Sequence, residues 1–159
     1  MSVTTNSYDH LDRLILKQVQ SQLNNTNSRT VYVYNNDNTV QLEVYEMKDD
    51  MPEQQIASGI LFLDNNGDTM KTGDISGNIG TIYEYDTYKN PFKNVTGYNK
   101  MLQYNMYGRF ANLTKVIYNT PSPAASITTI SYAYNASGFP KKANFNLNGT
   151  LYTKEFFYE

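Results

Sequence analysis

The chain of 159 residues contains no cysteine and no tryptophan, and only one histidine, His10. Without cysteine it has no disulfide, no thiol nucleophile and no thiolate-ligated metal. A single histidine leaves little for general acid-base chemistry, and His10 falls in a predicted turn, where a solvated side chain is the expected role. Charge is sparse too. Charged residues make up 18% of the chain and the net charge is -2, with Lys and Arg scattered, so neither a nucleic-acid footprint nor a polybasic membrane patch is expected. Mean hydropathy is -0.59, and the polarity comes from Asn, Ser, Thr and Gln. No apolar run approaches the length of a membrane-spanning helix.

What the chain does have is a recurring turn. At Tyr134-Asn135-Ala136-Ser137-Gly138-Phe139 an aromatic-rich run ends in Asn, two residues follow, and Gly precedes the next apolar residue. Asn can hydrogen-bond its own backbone two residues on, and Gly accepts the left-handed conformation that bulges the chain back into a hairpin. Related stretches begin at Asp9, Asn35, Asp64 and Asn105, each with Gly, Asn or Asp at the fourth position. Gly67, Gly108 and Gly138 are accordingly expected at positive φ. Asp86-Thr87-Tyr88-Lys89-Asn90 reads as the same turn, one residue longer. Asn148-Gly149 is a further hairpin signal. The uneven spacing of these turns makes a degenerate repeat.

Between the turns the residues alternate. Val40, Leu42 and Val44 share one face and Gln41, Glu43 and Tyr45 the other; Ala143, Phe145 and Leu147 alternate with Asn144 and Asn146. Fifteen tyrosines suit strands whose rings are inside and whose hydroxyls reach the rim. The segment 10–23 admits two readings. Leu11, Ile15, Val19 and Leu23 stand at helical spacing, but the hairpin signature at Tyr8–Arg13 favours a strand. Residues 73–80, with three glycines, read as a loose connection, and residues 119–123, with two prolines, as an irregular loop. The expected fold is a single all-β domain over 1–159: an antiparallel hairpin meander of about a dozen strands, curled into an open or barrel-like sheet.

Several stretches carry a resemblance. Tyr8-Asp9-His10-Leu11-Asp12-Arg13-Leu14, Tyr85-Asp86-Thr87-Tyr88-Lys89-Asn90-Pro91-Phe92 and Tyr104-Asn105-Met106-Tyr107-Gly108-Arg109-Phe110 look like the YD-repeat hairpins of RHS-type proteins. Their order, with Asn112-Leu113-Thr114-Lys115 and Tyr134-Asn135-Ala136-Ser137-Gly138-Phe139-Pro140, resembles small envelope lipoproteins of Bacteroides- and Flavobacterium-like bacteria. The chain is far too short for the toxin-enclosing shell of RHS proteins, and the residues after Met1 read as a strand rather than a leader, so the expectation is either a cytosolic protein or one whose export segment and lipid-bearing cysteine lie outside this sequence. The resemblance implies an exported protein, periplasmic or anchored at the outer membrane, whose leader lies outside this sequence.

Candidate chemistry is thin. No Gly-x-Ser-x-Gly elbow is present, and Asp49-Asp50 reads as a solvated pair. Asp64-Asn65-Asn66-Gly67-Asp68 has the oxygen spacing of a calcium loop without the downstream Glu, and a hairpin turn already accounts for it. No catalytic residue, metal ligand or cofactor is assigned. The expected function is a non-catalytic binding or structural module of the bacterial envelope, with a glycan or an envelope protein as partner; the alternative is a small carbohydrate-active enzyme or a toxin-immunity protein. The expected contact residues are the turn-associated aromatics Tyr88, Tyr98 and Tyr107, exposed and close together.

Overall fold

The computed structural model describes residues 1–22, 25–49, 51–102, 108–119, 126–147 and 149–158. Among the described residues eleven strands follow in chain order: β1 (Ser2–Tyr8), β2 (Leu14–Ser21), β3 (Thr26–Tyr34), β4 (Thr39–Lys48), β5 (Gln54–Leu63), β6 (Thr69–Gly73), β7 (Ile79–Tyr85), β8 (Leu113–Tyr118), β9 (Ser126–Tyr134), β10 (Pro140–Leu147) and β11 (Thr150–Glu155). Each pairs antiparallel with its neighbours in sequence, in the order β1 to β11, so the all-β meander is as expected. The sheet is open and curled, not closed into a barrel, with β1 and β11 at its two edges. Residues 14–21 are strand, which settles the ambiguity over 10–23 for that stretch.

The turn chemistry explains the meander. In the turns starting at Asp9, Asp64, Asp74 and Asn135, the first residue donates its amide to the carbonyl four residues on. Its side-chain Oδ1 accepts the amides two and four residues on, at 2.8–3.0 Å. The fourth residue is left-handed each time: Asp12 (φ 60°), Gly67 (93°), Gly77 (88°) and Gly138 (79°). The Asn35 turn keeps the backbone bond to Thr39 and a left-handed Asn38 (61°). A register shift stands beside the Asp9, Asp64, Asp74 and Asn135 turns, and such bulges add twist to the sheet.

The Asp74 turn corrects the expectation of a loose connection over 73–80. Asp74-Ile75-Ser76-Gly77 carries the same pattern, obscured in the sequence by Gly73 and Gly80 on its flanks. Gly138→Val, which forces a β-branched residue into the left-handed region, is expected to cost about 1–2 kcal/mol in urea unfolding; an unchanged midpoint would contradict the turn's role.

Acid should attack the same turns. The Arg13 side chain, first among its partners, holds the Asp9 carboxyl below the ordinary 3.8, and the Asn78 side chain does so for Asp74. A lowered folded value means that this stabilisation is present above pH 3.8 and lost as pH falls through the folded value. The urea midpoint is therefore expected to drop below pH 3.8, and Asp74→Asn to flatten part of the drop; an identical acid profile for D74N would contradict it.

An up-and-down meander puts alternate turns at the same end. The β1–β2, β3–β4, β5–β6 and β9–β10 turns share one end with the β7–β8 connection. The core lies towards that end. Leu14, Tyr32, Val40, Leu61 and Leu102 form one buried cluster; Leu113, Val116, Ile130 and Ala143 form a second, flanked by Tyr83, Tyr85, Tyr132, Phe145 and Phe156. The edge strands β1 and β11 and the start of β5 are exposed throughout.

Candidate functional site

Every described turn at the core end is short except one. Between β7 and β8 the chain runs from Asp86 to Asn112, and no described residue of that stretch is in a strand. This corrects the expectation of a slightly lengthened hairpin at 86–90; the turn expected to begin at Asn105 lies outside the described residues. The chain does not turn back at Asn90. Asn112 takes the closing position instead: the Asp86 amide donates to the Asn112 carbonyl (3.0 Å), and Asp86 Oδ1 accepts the Tyr88 amide (2.9 Å) and the Asn112 amide (3.2 Å). These are the bonds of the short turns, with residues 89–111 spliced between the third and last positions. The buried Asn112 side chain adds bonds to both Asp86 oxygens and to the Lys89 carbonyl.

The insert folds over the row of turns on both sides. Towards β9–β10, the Lys89 amide donates to the Gly138 carbonyl (3.1 Å) and its Nζ to the Ser137 carbonyl (2.8 Å), beneath the Phe139 ring. Tyr88 stacks on Tyr134 with centroids 4.1 Å apart, and the Tyr134 hydroxyl donates to Asp86 Oδ2. Burial, then that carboxylate, pushes the Tyr134 phenol well above its ordinary value. Towards β1–β2, Lys100 pairs with Asp12 (2.8 Å).

The middle is pinned by two buried polar residues. Asn90 accepts the Phe92 amide (2.7 Å) and donates to the carbonyls of Gly108 (2.5 Å) and Ala111 (3.3 Å). Asp68, fully buried after the β5–β6 turn, accepts the amides of Arg109, Phe110 (3.1 Å) and Ala111 (3.1 Å). Burial pushes its carboxyl up while the three amides pull it back. The carboxylate is thus spent on the insert's backbone, and the sequence pattern of a calcium loop serves to anchor it. Among the described residues no three His, Asp or Glu side chains gather as a metal site would need. Gly67 and Gly138 are left-handed as expected, but Gly108 is not: there space demands glycine, since a Cβ would stand 2.5 Å from the Ala111 carbonyl and 2.7 Å from the Tyr85 ring. Leu102 reaches the first core cluster, so the insert closes that end of the curl.

Of the expected contact residues, Tyr88 is 51% exposed. Tyr98 is not: at 9% exposure it is buried against Phe92, centroids 4.9 Å apart, in the 3-10 turn Tyr98–Lys100. The insert has an interior of its own, which fixes the ring inside. Tyr107 lies outside the described residues. His10 is exposed in the β1–β2 turn, and Asp49 is exposed beside Asn25.

Beneath the loop 92–100 lies a hollow of about 560 Å³, walled by Phe92, Tyr98, Phe110, Lys93, Lys100 and Arg109 among others. Sequence reading missed these three cations. The signal was present: residues 87–111 hold Lys89, Lys93, Lys100 and Arg109 and no Asp or Glu. Arg109 is fixed by carbonyls, with Nε and Nη2 both donating to Asn99 (2.9 and 2.6 Å) and Nη1 to Gly67 (3.0 Å). Burial lowers its guanidinium's affinity for the proton. In comparisons with known proteins, no family model matches the chain, and no curated protein or solved structure matches it.

Proposed function

We propose that the protein is a non-catalytic binding module of the bacterial envelope, and that its contact surface is the end covered by the 86–112 insert. The observation that carries this reading is the splice at Asp86 and Asn112. A meander otherwise built with short turns at this end holds one long excursion there, and long loops on a rigid scaffold are where binding groups concentrate. The excursion bears exposed rings at Tyr88 and Phe110 and four cations. The likeness of the turn motifs to small envelope lipoproteins supports the envelope as the place. The partner is a glycan or an envelope protein, and stacking against Tyr88 suits either.

The test is co-sedimentation with isolated envelopes of a Bacteroides-type bacterium. The protein is expected to bind saturably, and Tyr88→Ser to weaken binding about tenfold, as loss of one aromatic anchor does. Half of the Tyr88 side chain is already in solvent, so the melting temperature should fall only by the lost stack on Tyr134, roughly 1–6 °C. No binding by the parent protein, or equal binding by Y88S, would overturn the reading.

A further inference from the structure

The insert's hollow joins apolar ring walls to cations that lack carboxylate partners within it. Arg109 carries five N–H donors, and the bonds to Asn99 and Gly67 use three. One N–H on each terminal nitrogen is left by those bonds, and among the described residues no carboxylate pairs with the guanidinium. The Asp68 and Asp64 carboxylates act on it from beyond ion-pair distance and Phe110 lies 5.2 Å from it, so the fork is fixed but not closed by an acid, and an anion arriving there gains more than one met in water. Lys93 stands in the same wall, exposed, with no ion pair among the described residues. Lys100 is there too, drawn towards Asp12 at the protein's outer surface. Phe92, Tyr98 and Phe110 supply flat apolar walls. The insert itself has no acid in 87–111; the acids that act on Arg109 are Asp64 and Asp68 of the β5–β6 turn, and Asp68 is already occupied by the amides of 109–111.

We infer that this hollow is a binding site for an acidic carbohydrate, its sugar ring against the aromatic wall and its carboxylate at Arg109 and Lys93. The inference deepens the proposed function and rests on the insert being the contact surface. A neutral glycan would leave the two cations unanswered. The hollow, on the side of the insert facing β1–β2, is separate from the Tyr88–Tyr134 stack beside β9–β10.

The test is calorimetric titration of the full chain with oligosaccharides of galacturonate, glucuronate and sialate, each beside its methyl ester, which is the same sugar chain without the charge. The free acid of at least one series is expected to bind and its ester to bind at least tenfold more weakly. Lys93→Gln should weaken the acid about tenfold, the worth of one charge-assisted contact, and added salt should weaken it further. Because Arg109→Gln also loosens the insert, K93Q, whose side chain makes no ion pair among the described residues, is the deciding variant. Lys142→Gln, an exposed cation on β10, should leave affinity unchanged. Equal binding of acid and ester would overturn the acidic ligand while leaving a glycan-binding module standing. Equal weakening by K142Q and K93Q would reduce the effect to overall charge and overturn the site. If no acid in the panel binds, the inference fails, and envelope co-sedimentation decides the broader reading independently.

Discussion

Asp68→Ala is expected to detach the insert while leaving the sheet in place. The carboxylate accepts three consecutive amides, at Arg109, Phe110 and Ala111, from a fully buried position. Alanine offers no acceptor and no room for enough water to replace it. Each orphaned buried donor costs about 1–3 kcal/mol, and since the three share one acceptor the sum is not additive. A loss on the order of 3–4 kcal/mol is therefore expected, a large share of the roughly 5–15 kcal/mol that holds a domain together. Limited proteolysis makes the expectation local: cleavage within 87–111 should appear under native conditions, with the strand signal in circular dichroism retained. An insert as resistant as the parent's would show that Leu102, Asn90 and the Asp86–Asn112 closure hold it unaided.

Leu61→Ala and Leu113→Ala are expected to destabilise by about 2–5 kcal/mol each, the range for emptying a buried leucine site. Both side chains are 2% exposed, but they belong to different clusters, one gathered by β2 to β5 with Leu102, the other by β8 to β10. Sites that share no partner add to within about 0.5 kcal/mol. The double variant should thus lose the sum, measured by urea unfolding from the variants' midpoints and slopes. A clear departure from additivity would mean that the two clusters are one core coupled through the sheet between them.

The parts of this fold that were legible in the sequence are those whose physics is local. Asp9, Asn35, Asp64 and Asn135 each make their turn with groups no more than four residues away, so four or five letters carry the whole instruction. The alternation of Val40, Leu42 and Val44 with Gln41 and Glu43 is equally short-ranged. The candidate site was less legible because its closing bond is not local. Asp86 looks like the other turn residues, and nothing in its neighbourhood says that its partner is Asn112. Asp68 reads as the last residue of a turn, yet its role is set by amides at 109–111. Tyr98 was placed outside for the same reason: a loop that folds over its own rings hides them, and spacing along the chain carries no record of it. The cations of the insert were visible all along, but scattered in sequence they signified little until the fold put Lys93, Lys100 and Arg109 around one hollow.

The pairing of each strand only with its neighbours in the chain has a consequence in time. Hairpins closed by four-residue turns can form within microseconds, independently of one another, so the sheet can zip from several starting points at once. The insert cannot. Its ends meet only when Asp86 finds Asn112, and its contacts reach from Lys100 back to Asp12 and from Lys89 forward to Ser137. Those are the costliest loops in the molecule to close. The binding surface should therefore be the last thing this chain completes, and a nascent or refolding molecule would pass through a stage with its sheet assembled and its end still open.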